Sequence, residues 1–206
     1  MSVAWFLDGA YIFKVWTALG RQDYLDYLLL RQHLESKFCD PKLGEMIDEA
    51  YYFNADSDPP STKQNSFHNA LAYPPPGGPG LRVKLYWLEN KKLYWPKKLG
   101  GGQVVHPQSN EPYEVVQQKA VDVGLAFHLM RSYGRKKWKK LFLAAGDGDF
   151  HEVVQHLVED ENVSLVLIGS METISKELRP YASAFLEIDE EASMFARAKP
   201  TPSQTK

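Results

Sequence analysis

Short apolar runs, each followed by glycine, aspartate or asparagine, recur along this sequence. They cover residues 3–7, 47–53, 140–145, 163–168 and 185–188. Such runs are typical of strands that are buried on both faces of a parallel sheet. Between them, apolar residues at helical spacing predict helices over residues 24–38, 114–133, 152–159 and 175–184. The alternation of strands with helices predicts an α/β fold with a mostly parallel sheet that is covered on both faces.

A segment over about residues 59–107 interrupts this pattern. It predicts a short helix over 67–73 and then strands over 81–88 and 92–95, which a turn at Glu89 and Asn90 would join into a hairpin. We therefore expect residues 1–190 to form one domain that carries a β-rich insertion. Residues 191–206 end in a polar, proline-bearing stretch, and we expect them to form a disordered tail.

The composition limits the class of protein. At 206 residues the chain can bury a substantial core, and its net charge of −2 gives no chain-wide attraction to nucleic acid. No window approaches the ~18 consecutive apolar residues of a membrane span. Asp8 interrupts the first apolar run, which has no basic region before it, so this run is typical of a strand and not of a signal peptide. The single cysteine, Cys39, excludes an internal disulfide, and we expect a cytoplasmic protein that does not contact membranes.

Acidic side chains follow two of the predicted strands directly. Asp8 follows the first strand, and Asp147 and Asp149 follow the strand over 140–145. Asp122 lies between two valines in the predicted helix 114–133, where an unpaired charge near a buried surface is costly. In parallel α/β sheets, ligands bind outside the carboxyl ends of the strands. Converging carboxylates repel one another unless a cation neutralises them, and their hard oxygen atoms suit Mg²⁺ or Mn²⁺.

Each acid also has a structural interpretation. Asp8 can form an Asx-turn with the residues after it, and Asp147 or Asp149 can cap the helix that follows them. The Gly-Asp-Gly-Asp sequence is similar to a calcium loop, but the downstream acidic ligand at loop spacing is missing. Asp122 can pair with Lys119, three residues before it. These interpretations require several coincidences, so a shared site is the better hypothesis.

Three motifs in order carry a resemblance to a known family. They are Asp8-Gly9, Lys119-Ala120-Val121-Asp122-Val123 and Gly146-Asp147-Gly148-Asp149-Phe150. In this order and spacing they resemble the NYN domain, a PIN-like nuclease family, and its LabA-like branch in particular. The resemblance extends over roughly residues 3–190. It implies a PIN-like, Rossmann-like three-layer α/β/α sandwich that hydrolyses phosphodiester bonds of RNA as a metal-dependent endoribonuclease.

The resemblance also assigns roles to residues. The family's acids correspond to Asp8, Asp122, Asp147 and Asp149, which would be both the catalytic residues and the ligands of a Mg²⁺ or Mn²⁺ cofactor. A cation held there would lower the pKa of a bound water and neutralise charge that develops on the phosphate.

The chain departs from the family pattern at several positions. Tyr11 stands where the family often has asparagine, Ala145 where it often has serine or threonine, and Ala120 where it usually has glycine. His128 replaces a common acid. Because a positioning amide and a hydroxyl are absent, a second function stays open, namely a catalytically weak regulatory domain that binds RNA or a protein.

Single-stranded RNA is the expected partner, and a homo-oligomer is left open. We expect Lys119, Lys91, Lys92 and Ser175 to contact nucleic acid, although Ser175 can instead cap a helix and Lys119 can pair with Asp122.

The segment 131–140 is rich in basic residues around Tyr133 and Trp138, whose rings can stack on bases. It leads into a strand, however, and should therefore lie at the end of the sheet away from the acids. The alternative is a solvated loop with Trp138 in the core.

Two other site chemistries fit less well. A haloacid-dehalogenase-type phosphatase needs an Asp-x-Asp motif after the first strand, whereas this chain has Ala10 at the position of the second aspartate. The six histidines show no zinc-binding spacing.

Overall fold

The computed structural model describes residues 2–57 and 60–198. Its main sheet contains β1 (Ser2–Asp8), β3 (Met46–Asp56), β4 (Arg82–Lys92), β5 (Glu114–Gln118), β6 (Lys140–Ala144), β7 (Ser164–Gly169) and β8 (Ala182–Glu187). Their spatial order is β5-β4-β3-β1-β6-β7-β8. A separate two-stranded sheet pairs β2 (Tyr24–Leu25) with β9 (Ala196–Arg197).

The main sheet is parallel except at one edge. β1 pairs in parallel with β3 on one side and β6 on the other, and the parallel order continues to β4 and β8. Only β5 runs antiparallel, against β4. The chain order therefore reverses around β1, and ligands of open α/β sheets bind at such a switch point. The α/β prediction with a mostly parallel sheet is confirmed.

Helices cover both faces of this sheet. They are α1 (Gly9–Ala18), α2 (Tyr27–Phe38), α3 (Thr62–Ala72), α4 (Val121–Lys136), α5 (His151–Gln155), which continues as a π-helix over His156–Asp160, and α6 (Ile188–Glu191). Because side chains alternate along a strand, β1 sends Trp5 into the core beneath α1 and α2, and Phe6 into the core beneath α4 and α5. The three layers follow from this alternation. Within the described ranges, no helix combines the length and the apolar character needed to cross a membrane.

The predicted hairpin over 81–95 is wrong. β4 continues without a turn through Glu89 and Asn90, because their backbones pair with Gln117 and Val116 of β5. The helix predicted over 114–133 accordingly begins only at Val121, and the residues before it form β5.

The bounds of the predicted insertion change as a result. The segment 59–107 includes α3 and the part of β4 that pairs with β3 in the main sheet. The segment that projects from the sheet is residues 88–118, which we call the arm. It consists of the β4–β5 ladder and two isolated bridges, Tyr94 with Gln103 and Val105 with Pro112.

One prediction near the end of the chain is also wrong. Residues 175–184 form turns, a short 3-10 helix (Arg179–Tyr181) and the start of β8, because Pro180 provides no backbone N–H for a longer helix. After residue 190, where the domain is predicted to end, Ala192 and Phe195 are buried in the core and β9 pairs with β2. The remainder of the predicted tail, residues 199–206, lies outside the described residues.

Candidate functional site

Asp8 ends the central strand and begins the helix that follows it. Its Oδ1 accepts hydrogen bonds from the backbone N–H groups of Ala10 at 2.9 Å and Tyr11 at 3.1 Å, so it caps α1. A cap of this kind typically contributes about 1 kcal/mol to stability. Asp8 therefore bonds the backbone of the residues after it, as its structural interpretation predicts, but only one of its two carboxylate oxygens does so. Within the described residues, Oδ2 makes no hydrogen bond and remains available to a ligand.

Asp147 and Asp149 lie in the loop after β6. The Oδ1 atom of Asp147 accepts a hydrogen bond from the N–H of Asp149 at 3.0 Å and caps a short 3-10 helix (Gly148–Phe150). Both aspartates are exposed to solvent, while Phe150 anchors the loop in the core. One of the two acids thus has the capping role that the sequence suggests, and the pair still reaches solvent at the carboxyl end of the sheet.

Asp122 is brought to the same edge by an unusual helix start. Ala120 has a φ of 65° in the left-handed region, and its side chain cannot cap α4. The chain turns sharply there, so that Asp122 falls in the first turn of α4. The favourable interaction of its charge with the helix N-terminus is worth about 0.3–1 kcal/mol.

Asp8 and Asp122 are affected by burial and by the charges of the neighbouring aspartates. Burial raises the pKa of Asp8 above its ordinary value, the N–H groups of Tyr11 and Ala10 partly offset this, and the charges of Asp122 and Asp147 raise it further. Burial also raises the pKa of Asp122, and the charges of Asp147 and Asp149 add to that effect. We call Asp8, Asp122, Asp147 and Asp149, which come from three separate parts of the chain, the acidic cluster.

The chemistry of the acidic cluster fits a hard divalent cation. Its donors are carboxylate oxygens, and the repulsion between them would be relieved by a positive ion. In the described part of the chain, no three Asp, Glu, His or Cys side chains are already gathered into a metal-binding set. An open arrangement suits Mg²⁺, which commonly uses one or two carboxylates together with waters and substrate phosphates.

Tyr11 packs against two glycines beside the acidic cluster. Its ring lies so close to two glycines that a Cβ at Gly146 would be 2.4 Å from it and a Cβ at Gly169 2.0 Å from its hydroxyl. The hydroxyl is 3.0 Å from Oγ1 of Thr173. Tyr11, the departure from the family's asparagine, therefore fills space between the ends of β6 and β7 and ties down the loop after β7.

A further acid at this edge was missed from the sequence. Asp56 ends β3, is buried, and accepts hydrogen bonds from the Gln64 side chain and from the Ser57 N–H. Its Oδ2 makes no hydrogen bond within the described ranges and lies 3.6 Å from Nδ1 of His68. The predicted strand over 47–53 ends three residues before Asp56, so the sequence did not mark this acid as the end of a strand.

Tyr52 lies between this acid and the acidic cluster. Burial raises its pKa to about 12, and the charges of Asp8 and Asp56 contribute. A Cβ at Gly9 would lie 2.4 Å from the Tyr52 hydroxyl, so only glycine fits after Asp8.

The predicted nucleic-acid contacts fall in different places. Ser175 lies against the acidic loop, since its N–H donates to the carbonyl of Gly146 at 2.9 Å and its side chain bonds Glu177. It caps no helix. Lys119 pairs with Glu89 at 3.1 Å, not with Asp122, and more than half of its side chain is exposed.

Lys91 and Lys92 lie on the arm, opposite Val115 and Glu114 of β5. Because β4 is parallel to β3, the arm leaves the sheet at the same end as the acidic cluster. No contact joins either lysine to the acidic cluster within the described residues.

The aromatic residues of the basic segment 131–140 cannot stack on bases. Trp138 and Tyr133 are both buried and contact each other at 5.0 Å between ring centroids. The prediction of Trp138 in the core is confirmed.

Comparisons with known proteins agree with this fold. The family model of the NYN domain matches residues 2–189. No curated protein matches significantly. A solved structure of a protein of unknown function from Vibrio parahaemolyticus superposes with a TM-score of 0.59 at 18% identity, over 95% of this chain and 96% of that chain. At that identity the likeness shows the fold alone, whereas the family match covers nearly the whole chain. The chain therefore belongs to the NYN domain family, a family of nucleases.

Proposed function

We propose that this protein is a Mg²⁺- or Mn²⁺-dependent endoribonuclease that hydrolyses phosphodiester bonds of single-stranded RNA at the acidic cluster. The observation that carries the proposal is that burial, together with the charges of aspartates from other segments, raises the carboxyl pKa values of Asp8 and Asp122. Such repulsion lowers stability, and a fold keeps it where a cation or a reaction compensates for it. A place in the LabA-like branch and a cytoplasmic location are part of the same proposal.

Each residue of the cluster has a proposed role. Asp8, Asp122 and Asp147 would hold the cation, with Asp149 binding directly or through water. When bound, the cation supplies Lewis acidity and lowers the pKa of a water. Asp8 is oriented by its two bonds to α1, which leave Oδ2 for the ligand.

Basic and hydroxyl groups at this edge would position the RNA. Ser175 lies over Gly148, where a Cβ would be 2.9 Å from its Oγ, so its hydroxyl is close to the acidic loop and within reach of a phosphate. Lys119, at the base of the arm, and Lys91 and Lys92, on its β4 strand, would contact the backbone of the RNA strand.

The test compares Asp147→Asn with the wild type. The amide keeps the oxygen that accepts the Asp149 N–H, but it loses the charge that attracts a cation. We expect Mn²⁺-dependent cleavage of single-stranded RNA to fall by at least about 100-fold, and Mn²⁺ binding measured by calorimetry to weaken. The matched control is Asp48→Asn, an exposed aspartate near the opposite end of β3, which should retain wild-type cleavage.

A second function is favoured by the positions of Tyr11 and Ala145. Because a ring and a methyl group replace the family's amide and hydroxyl, the site lacks two polar groups and could bind without efficient cleavage. In that case wild type and Asp147→Asn would show the same trace of cleavage, while both bind RNA or a protein partner. That result would replace the nuclease proposal with a regulatory binding domain.

A further inference from the structure

A cleft of about 430 Å³ opens between α4 and the N-terminal halves of β3 and β4. Its cationic side chains are Arg82, Lys84, Arg131, Arg135 and Lys136, and its one carboxylate is Glu49. The whole chain has a net charge of −2, so positive charge is concentrated here. We call this feature the basic cleft. Clefts lined by charge of one sign focus the electrostatic field and attract ions of the opposite sign.

The floor of the basic cleft is fixed by hydrogen bonds. Oε2 of the buried Glu49 accepts from the hydroxyls of Tyr51 at 2.9 Å and Ser132 at 3.2 Å, and from Nη1 of Arg82 at 2.8 Å. Trp138 Nε1–H donates to Ser132 Oγ at 3.1 Å. The guanidinium of Arg82 lies 5.2 Å from the centroid of the Tyr51 ring. Glu49 is therefore compensated by Arg82, and it does not neutralise the remaining cations.

The other four cations are free to bind an anion. Among the described residues, Lys84, Arg131, Arg135 and Lys136 form no ion pair. Arg131 and Arg135 are one helical turn apart and share a side of α4, and Lys84 faces them from β4. Burial lowers the pKa of His128 between them, and the charges of Lys84 and Arg131 lower it further.

The lining of the basic cleft suits phosphates and not bases. The ring of Tyr51 is buried and is flanked by Arg82, Phe6 and His128, so it offers no open face for stacking. Lysine and arginine bind backbone phosphates without regard to sequence.

The basic cleft is separate from the acidic cluster. The Tyr86 hydroxyl lies against α4 at Gly124, where a Cβ would be 1.9 Å from it, and this contact lies between Asp122 and Arg131 along the helix. Along α4, Asp122 and Arg135 are separated by about 20 Å at a rise of ~1.5 Å per residue.

We propose that the basic cleft is a second binding site for the phosphodiester backbone of RNA, which anchors a strand outside the acidic cluster without reading its sequence. The proposal rests on the proposed function in taking RNA as the substrate. Because one helix carries both Asp122 and the two arginines, a strand that occupies both sites has to span about 14 Å to reach Arg131 and about 20 Å to reach Arg135. A dinucleotide is too short to do so.

The binding test uses fluorescence anisotropy with a labelled single-stranded RNA of mixed sequence, in EDTA to prevent cleavage. The variant is Arg131→Gln with Arg135→Gln, and the control is Lys14→Gln with Lys42→Gln, which changes the net charge equally. Lys14 lies on α1, across the sheet, and Lys42 in the turn after α2; both are exposed. For the cleft variant we expect Kd to rise about tenfold or more, and the slope of log K against log salt to fall by ~1.4, which is ~0.7 per lost phosphate contact.

Two outcomes of this test would overturn the proposal. In the first, cleft and control variants bind RNA equally well, or weaken equally. In the second, RNA binding is unchanged while inorganic phosphate raises the melting temperature of the wild type but not of the cleft variant, which would assign the basic cleft to a small anion. Circular dichroism of both variants checks that they are folded.

Cleavage assays separate this proposal from the nuclease proposal. With Mn²⁺, the cleft variant should show a raised KM for RNA of about twenty nucleotides, which spans both sites, and unchanged cleavage of a dinucleotide. Normal cleavage with no effect of the cleft variant on binding or KM would contradict the basic cleft alone. Absence of cleavage by the wild type, with weaker RNA binding by the cleft variant, would contradict only the nuclease proposal.

Discussion

At the scale of single residues, Tyr11 shows how a departure from a family pattern can be absorbed by its surroundings. Its ring requires glycine at both Gly146 and Gly169, and its hydroxyl reaches Thr173. An asparagine at this position would be too short to fill the same space. The sequence reveals that the amide is missing, but not that two distant glycines accommodate the larger side chain, because only folding brings β6 and β7 beside α1.

Asp122 should make the metal-free protein less stable at neutral pH. Its folded pKa is raised by burial and by Asp147 and Asp149, although the N-terminus of α4 favours its charge. The folded state therefore holds this proton more tightly than the unfolded state does, and stability falls as pH rises from the unfolded pKa of ~3.9 through the raised folded value.

We accordingly expect Asp122→Asn to raise the free energy of unfolding at pH 7 in EDTA, with the difference vanishing towards about pH 4. Urea denaturation at several pH values measures this. Asp48→Asn is the control and should show no such gain. A variant that is less stable than the wild type at pH 7 would mean that the helix N-terminus outweighs repulsion and burial.

At the scale of elements, the start of α4 is strained. Ala120 adopts a φ of 65°, which costs an L-residue roughly 1–2 kcal/mol, and the family's usual glycine at this position adopts it freely. The sequence alone showed the departure, and the structure gives its physical cost.

Ala120→Gly should therefore stabilise the protein by about 0.5–1 kcal/mol, after the greater flexibility of glycine in the unfolded chain is subtracted. The control is Ala126→Gly, in the interior of the same helix, which should destabilise by about 1 kcal/mol. Chemical denaturation distinguishes the two. If Ala120→Gly destabilised the protein as much as Ala126→Gly does, the left-handed conformation would carry no strain.

The strands that could be predicted are those whose buried residues form an apolar run in the sequence. β1, β3, β6 and β7 are buried along most of their length, and their apolar runs located them to within a few residues. β5 could not be found in this way, because every residue of Glu114–Gln118 is exposed and no alternation marks its faces. Its pairing with β4 depends on backbone hydrogen bonds, which leave no signature in the side chains.

At the scale of the whole molecule, some parts of the site could be predicted from the sequence and others could not. Aspartates at strand ends predicted that Asp8, Asp147 and Asp149 lie at one edge of the sheet, because parallel strands end together there. Asp56 was not predicted as part of the site. The basic cleft was not predicted either. Its cations come from α4 and β4, and the hairpin and the long helix predicted from the sequence do not place these two elements side by side.

The end of the domain also needs the whole molecule to be located. Phe195 is fully buried against Trp16 of α1 and His33 of α2, so the chain closes onto elements formed near its beginning. Phe195→Ala should lower the free energy of unfolding by about 3–5 kcal/mol. Its neighbour Met194 is 59% exposed, and Met194→Ala should cost much less. Equal effects in thermal denaturation would place the domain boundary before Phe195.

α4 is a single unbroken helix with an acid of the proposed cleavage site at one end and the arginines of the basic cleft at the other. Because a helix is rigid along its axis, α4 fixes the distance between the two sites. An RNA strand bound at the arginines would be cut at a fixed distance from them. The fragments that stay bound to the basic cleft would then share one minimum length, whatever their sequence. The number of helical turns between Asp122 and Arg135 would then determine the lengths of the RNA products.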